Sequence, residues 1–203
     1  MTDYQKLYSG IGRAAWGYFF IYFDVNIGTV SLLPSFIGYL LFLSAIDCLC
    51  GEERELNLLR TLVVILALWH GASWLTSWVS VDLDGMLQAV DIIIGAVNIY
   101  FHFQLLTNLA SIAAKYQPED YESDEKLLRY RTLQTIMLTA VILLSYLAKW
   151  LDGFGTFVSI CMIIVYLISG ILLMKALFDL RRCLPIDTNT GTNADADAES
   201  EEL

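Results

Sequence analysis

Residues 85–113 read GMLQAVDIIIGAVNIYFHFQLLTNLASIA, one long apolar stretch that polar or small residues interrupt at regular intervals. These residues follow one another at steps of three, four, three and four: Gln88, Asp91, Gly95, Asn98 and His102. Such steps place them on one face of a helix, which we call the polar stripe. A helix of this length can cross a bilayer. Because an acid and a histidine are costly in lipid, the polar stripe is predicted to face protein or water.

The composition of the 203-residue chain is typical of a membrane protein. Hydrophobic residues make up 57% of the chain and charged residues only 17%, against roughly 25% charged residues in soluble domains. We therefore expect one transmembrane domain over residues 1–183. Residues 184–203 are rich in acids and lack aromatic residues, and they carry much of the net charge of −10. This composition predicts a disordered acidic cytoplasmic tail.

The apolar runs predict six transmembrane helices arranged as three hairpins. The predicted spans cover residues 11–30, 34–50, 61–80, 85–113, 132–151 and 156–178. The longest polar connector, residues 115–131, is expected to contain a short amphipathic surface helix before the fifth span. The predicted fold class is an all-α integral membrane protein.

The basic residues predict the orientation of these helices. If both termini lie on one side, all but one of the twelve Lys and Arg residues fall on that side. Only Lys149 falls near the other side. Since Lys and Arg accumulate in cytoplasmic loops, we predict a cell-membrane protein with its N- and C-termini in the cytoplasm. Residues 1–10 are polar, so the first helix is expected to stay uncleaved.

The third predicted span carries a second set of polar residues on one face. Ser73, Ser77 and Ser80 continue the face of His70 at steps of three, four and three residues. With a rise of about 1.5 Å per residue, His70 lies near the bilayer midplane, level with Asn98. If the two faces meet, they line a cavity. The alternative is that the serines pack and hydrogen-bond neighbouring helices together.

Asp91 and Lys149 are open to two interpretations. Asp91 either reaches water or a loop near the outer interface, or pairs with Lys149 at a similar depth. Lys149, beside Trp150, also fits a side chain that extends to the interface. The candidate ligand or ion pathway comprises these residues: His70, Ser73, Ser77, Gln88, Asp91, Asn98, His102 and Lys149.

The same residues argue against a metal site. Asp91 and His102 lie roughly 16 Å apart along one helix, whereas ligands must approach a shared metal to about 2 Å. Hydrogen-bonded interior histidines are the simpler interpretation. The sequence contains no nucleotide-binding loop, nucleophile elbow or HExxH pattern. We expect no metal, no cofactor, no catalytic residue and no nucleic-acid partner.

Three functions are compatible with these patterns. The first is a small-molecule or ion carrier, or a substrate-binding membrane subunit, with a polar cavity between the third and fourth helices. In size and helix number the chain resembles the substrate-binding components of energy-coupling-factor vitamin transporters, a resemblance of architecture that transfers no site residue. The second is a non-enzymatic scaffold, sensor or accessory subunit that binds another membrane protein. The third is an intramembrane enzyme that uses His70, Asn98 and His102. The expected partners are the lipid bilayer, a small-molecule or cation ligand, or a partner membrane subunit.

Overall fold

The computed structural model describes residues 4–23, 26–27, 30–31, 34–78, 88–118, 120–147 and 152–184. Within these residues the chain forms six helices: α1 (Tyr4–Tyr22), α2 (Ser35–Leu49), α3 (Leu56–Ser77), α4 (Gln88–Tyr116), α5 (Ser123–Leu147) and α6 (Asp152–Cys183). Two short strands, β1 (Asn26–Ile27) and β2 (Val30–Ser31), pair in antiparallel fashion between α1 and α2. The helical character of the predicted fold class is confirmed. The predicted tail, from residue 185 onward, lies outside the described residues.

Four of the described helices, α3 to α6, are long and apolar enough to cross a membrane. Their candidate spans are Leu56–Thr76, Ala89–Tyr116, Ser123–Leu144 and Ile160–Cys183. Large apolar side chains on these helices, such as Leu68 and Ile93, are exposed. Exposed apolar surface of this extent is typical of a face that lipid covers. α2 is also apolar, but it has only 15 residues.

Two helices differ most in extent from the predicted spans. α1 ends at Tyr22 rather than near residue 30, because the turn-favouring residues Asp24, Asn26 and Gly28 follow it. α5 begins at Ser123 rather than at residue 132, so the expected surface helix and the fifth span form one continuous helix. Two acids in its first turn favour this start, since carboxylates stabilise a helix N-terminus.

The six helices close into a ring. Each helix packs against its neighbours in sequence, and α6 packs against α1. This closure gives α1 two partner faces, one for α2 and one for α6.

The hydrophobic core lies in the half of the ring that contains the α2–α3 and α4–α5 connections. The buried residues of α3 end at Leu66, and those of α5 end at Gln134. The buried residues of α4 begin at Phe101, and those of α6 begin at Ser169. No described residue of α3 after Leu66, of α4 before Phe101, of α5 after Gln134 or of α6 before Ser169 is buried. We call the two ends of the ring the packed half and the loose half.

Two glycines allow the backbones of α1 and α2 to approach closely. A Cβ atom at Gly38 would lie 2.7 Å from the Gly17 carbonyl oxygen, and one at Gly17 would lie 2.8 Å from the Phe42 ring. Small residues at crossing points are typical of helix pairs in membranes. Because Tyr18 and Tyr39 directly follow these glycines, the crossing also fixes where both tyrosines lie.

The α2–α3 connection is attached to α4 through three glutamates. Their carboxylates accept hydrogen bonds from α4: Glu52 from Lys115 and Tyr116, Glu53 from Ser111, and Glu55 from Gln104. The hydrogen bonds from Tyr116 and then Lys115 hold the pKa of the Glu52 carboxyl below its usual value. Single exposed pairs of this kind stabilise a fold weakly. Together the three glutamates hold the start of α3 against α4 through contacts that extend over about three turns of α4.

Candidate functional site

A group of aromatic and polar side chains lies where the packed half meets the loose half. Its centre is Tyr39 of α2, whose hydroxyl donates a hydrogen bond of 2.9 Å to Asn98 Oδ1 on α4. His70 of α3 stacks on the Tyr39 ring, with centroids 4.8 Å apart and planes inclined by 17°. The Ser35 hydroxyl lies 3.4 Å from His70 Nδ1. Tyr39 therefore joins the polar faces of α3 and α4.

His102 lies one helical turn from Asn98, deeper in the packed half. Its Nδ1 lies 3.3 Å from the Tyr18 hydroxyl of α1. Its ring contacts those of Phe101, Tyr18 and Phe42, with centroid distances of 5.2, 5.4 and 5.8 Å. The other ring nitrogen, Nε2, is buried and has no hydrogen-bond partner among the described residues. A buried polar atom in that state costs about 1–3 kcal/mol.

A pair of tyrosines extends this group toward α6. The rings of Tyr22 and Tyr166 lie 4.4 Å apart. A Cβ atom at Gly170 would lie 2.4 Å from the Tyr22 ring, so only a glycine lets this ring rest on the α6 backbone. We call the assembled group the tyrosine–histidine cluster: Tyr18, Tyr22, Tyr39, His70, Asn98, His102 and Tyr166.

The tyrosine–histidine cluster offers hydrogen-bonding groups without a carboxylate, ammonium or guanidinium. Its polar atoms belong to phenols, imidazoles and one carboxamide. The buried polar side chains among the described residues are those of His102, Asn108, Ser123, Gln134 and Ser169. Burying an unpaired charge is far more costly than burying a hydrogen-bonded polar group. The arrangement therefore suits an uncharged polar ligand better than an ion.

Three of the predicted site residues, His70, Asn98 and His102, come together in the cluster. At the level of Gly95, the polar stripe faces α5, since a Cβ atom there would lie 2.8 Å from Ile142 Cδ1. Over the residues from Gly95 to His102 the stripe thus faces other helices of the same chain.

The other predicted residues do not join the cluster in the described structure. Asp91 is half-buried in the first turn of α4, roughly 16 Å along the helix from His102. Ser73 is half-buried on α3, and its carbonyl oxygen accepts a hydrogen bond of 3.1 Å from Thr76. Three predicted elements lie outside the described part: the side chains of Ser77 and Gln88, and all of Lys149. The Asp91–Lys149 pair stays a prediction.

Reasoning from the sequence missed the tyrosines of α1 and α2. Tyr18 and Tyr22 are spaced by four residues, the same spacing that identified the polar stripe. In an aromatic run they pass for ordinary apolar residues, although a buried tyrosine hydroxyl needs a polar partner. Tyr39 had one further signal, its position next to Gly38.

Among the residues that the structure describes, no group of three His, Cys, Asp or Glu side chains is placed to hold a metal ion. No protein-family model matches the chain, and neither a curated protein nor a solved structure matches it. The resemblance to energy-coupling-factor components therefore rests on size and helix number alone.

Proposed function

We propose that this chain is a multi-pass membrane protein that binds a small polar molecule inside its helix ring, as a carrier or as the substrate-binding subunit of one. One observation carries this proposal: His70 of α3 and the α4 residues Asn98 and His102 gather around Tyr39 of α2. Polar residues inside a membrane bundle are costly and are typical of a binding site or pathway. The buried Nε2 atom of His102, which has no hydrogen-bond partner among the described residues, offers such a ligand a hydrogen-bonding group.

The proposed topology has six spans with both termini in the cytoplasm. α3 to α6 supply four apolar spans, and α1 with α2 supplies the remaining pair. The packed half is the cytoplasmic half in this topology, because Arg54 in the α2–α3 connection and Lys115 and Lys126 at the helix ends that flank the α4–α5 connection lie there. This distribution of basic residues favours that orientation.

The proposed ligand enters from the loose half. His70 and Asn98 are half-buried on that side of the cluster, whereas His102 is fully buried beneath them. A ligand would therefore meet His70 and Asn98 first. The neutral chemistry of the cluster favours an uncharged molecule with hydrogen-bonding groups over an ion.

The facing of the polar stripe favours binding over a scaffold role. A scaffold that recruits another membrane protein through the stripe needs it on the lipid-exposed perimeter of the ring. Instead, Asn98 contacts α2, His102 contacts α1, and Gly95 faces α5. These contacts occupy the stripe with helices of the same chain.

Cysteine accessibility along α4 tests the proposal. All four native cysteines are first replaced, and single cysteines are then introduced at Asp91, Asn98 and His102. Cysteines at Ile93 and Tyr100, which are exposed on the lipid-facing side of α4, are the matched controls. A membrane-impermeant thiol reagent is applied from each side of the membrane.

We expect the outside reagent to label Asp91→Cys and Asn98→Cys and to leave Ile93→Cys and Tyr100→Cys unlabelled, because lipid suppresses thiolate formation. A ligand that binds in the cluster should then protect Asn98→Cys from the reagent more strongly than it protects Asp91→Cys. If Asn98→Cys is labelled no faster than the lipid-facing controls, packing seals the site from water, and the scaffold role replaces the binding role.

A further inference from the structure

The outer surface of α5 carries a groove whose two ends differ in chemistry. The groove has a volume of about 490 Å³ and is lined by these residues: Leu128, Arg129, Arg131, Thr132, Leu133 and Ile136. Its lining contains two guanidinium groups and no acid. The arginines lie nearer the α5 N-terminus, and Ile136 lies roughly 8 Å farther along the apolar segment. The groove is therefore basic near the packed half and apolar beyond it.

Contacts with α4 hold Arg131 in a fixed position. Its guanidinium donates a hydrogen bond of 3.0 Å to the Thr107 hydroxyl and lies over the Phe103 ring, 4.5 Å from the centroid. Its Nε atom is buried and has no hydrogen-bond partner among the described residues. A guanidinium that is held in this way is preorganised for an anion, because little side-chain freedom is lost on binding.

Arg129 is the second positive charge of the groove and is available for exchange. It pairs with Glu125 at 3.3 Å, but both side chains are well exposed. An exposed pair at this spacing on a helix contributes little to stability. An anion of higher charge density can therefore compete with Glu125 for this guanidinium.

We propose that this groove binds an anionic phospholipid, with the headgroup phosphate between Arg129 and Arg131 and the upper acyl chain along Leu133 and Ile136. Guanidinium groups bind phosphate through short charge-assisted hydrogen bonds, and basic sites on the cytoplasmic side of membrane helices recruit anionic headgroups. A free phosphate would use the arginines alone, whereas a lipid also covers the apolar end. The proposal requires membrane insertion and does not depend on the carrier role.

Native mass spectrometry of the purified full-length protein tests this site. The protein is mixed in detergent with phosphatidylglycerol or with phosphatidylcholine, and the fraction of molecules with bound lipid is measured. We expect phosphatidylglycerol to bind with roughly tenfold or greater preference, since it carries the net negative charge that two arginines recognise. Equal retention of the two lipids would overturn the proposal.

The Arg129→Gln/Arg131→Gln variant should lose this preference. Its matched control is Arg60→Gln/Arg182→Gln, which removes the same charge from exposed arginines that pair with Asp47 and Asp179 outside the groove. An equal loss in both variants would show unspecific attraction and would refute a defined site. Retained preference in the groove variant would refute it as well.

Two further measurements separate the remaining explanations. Arg129 is exposed and pairs with Glu125 of its own helix. The single variant Arg129→Gln should therefore weaken lipid retention without unfolding the ring, and unchanged retention would count against the site. Millimolar inorganic phosphate should leave the bound phosphatidylglycerol in place, because it gains nothing from Leu133 and Ile136. Displacement by inorganic phosphate would show a phosphate site and not a lipid site.

Discussion

Replacing Gly38 by alanine perturbs the point at which α1 and α2 approach most closely. The new Cβ atom would lie 2.7 Å from the Gly17 carbonyl oxygen, whereas an ordinary contact begins at 3.4 Å. The backbone oxygen cannot rotate away as a side chain can, so the two helices must separate by roughly 0.7 Å. Such overpacking costs about 1–3 kcal/mol.

Gly71→Ala is the matched control for this variant. Gly71 also lies inside a helix, but its Cβ atom would meet only Phe36, at 3.9 Å. Both variants gain about 1 kcal/mol of helix propensity, so the difference between them isolates the steric effect. We expect Gly38→Ala to be less stable than Gly71→Ala by about 1–3 kcal/mol.

Unfolding in mixed detergent micelles, followed by tryptophan fluorescence, measures this difference. Tyr18, beside the crossing, provides a second readout. Its hydroxyl lies 3.3 Å from His102 Nδ1, so a separation of α1 from α2 should also disturb the packing around residue 102. In a His102→Cys background, Gly38→Ala should therefore raise thiol labelling and Gly71→Ala should not. If the two glycine variants are equally stable, the backbone approach of α1 and α2 does not limit packing, and the reasoning fails.

Two further changes test the glutamate attachment and the cluster. The pKa of the Glu52 carboxyl is lowered, first by the Tyr116 hydroxyl and then by the neighbouring lysine. Its contribution to the free energy of unfolding is therefore present above pH 4.5 and disappears as the pH falls through the lowered folded-state pKa. Glu52→Gln should flatten this part of a stability–pH curve, and an unchanged curve would contradict the assignment. Tyr39→Phe should destabilise the protein by about 1 kcal/mol because it removes the donor to Asn98, whereas the exposed Tyr100→Phe should change stability by less than about 0.5 kcal/mol; equal effects in thermal unfolding would show that the Tyr39 hydrogen bond contributes nothing.

Much of the fold was predictable because apolar length and helical spacing act locally. The four helices α3 to α6 follow from apolar runs that are long enough to cross a bilayer. The steps of three and four residues place Asn98 and His102 on one face of α4. Periodicity identifies the face of a helix that carries polar groups, and the cost of those groups in lipid predicts that this face turns inward.

The partners of these residues were not predictable, because they depend on how helices cross. Nothing in the local pattern around Tyr39 indicates that its ring stacks on His70 and that its hydroxyl meets Asn98. The glutamate attachment to α4 likewise joins segments that are distant in sequence. The start of α5 at Ser123 was missed for a different reason: a charged segment with helical propensity continues a transmembrane helix into water as readily as it forms a separate one.

Because α6 packs against α1, one face of α1, which is synthesised early, is covered only by a helix that is synthesised late. Arg181 lies 3.9 Å from the centre of the Tyr8 ring and close to Gly12, and Gly170 receives the ring of Tyr22. Until α6 has emerged from the ribosome, this face of α1 lacks the helix that covers it in the ring. Nascent chains with one bare helix face are targets for membrane chaperones and quality-control proteases. The lifetime of that exposed face depends on how fast α6 is synthesised and inserted after α1.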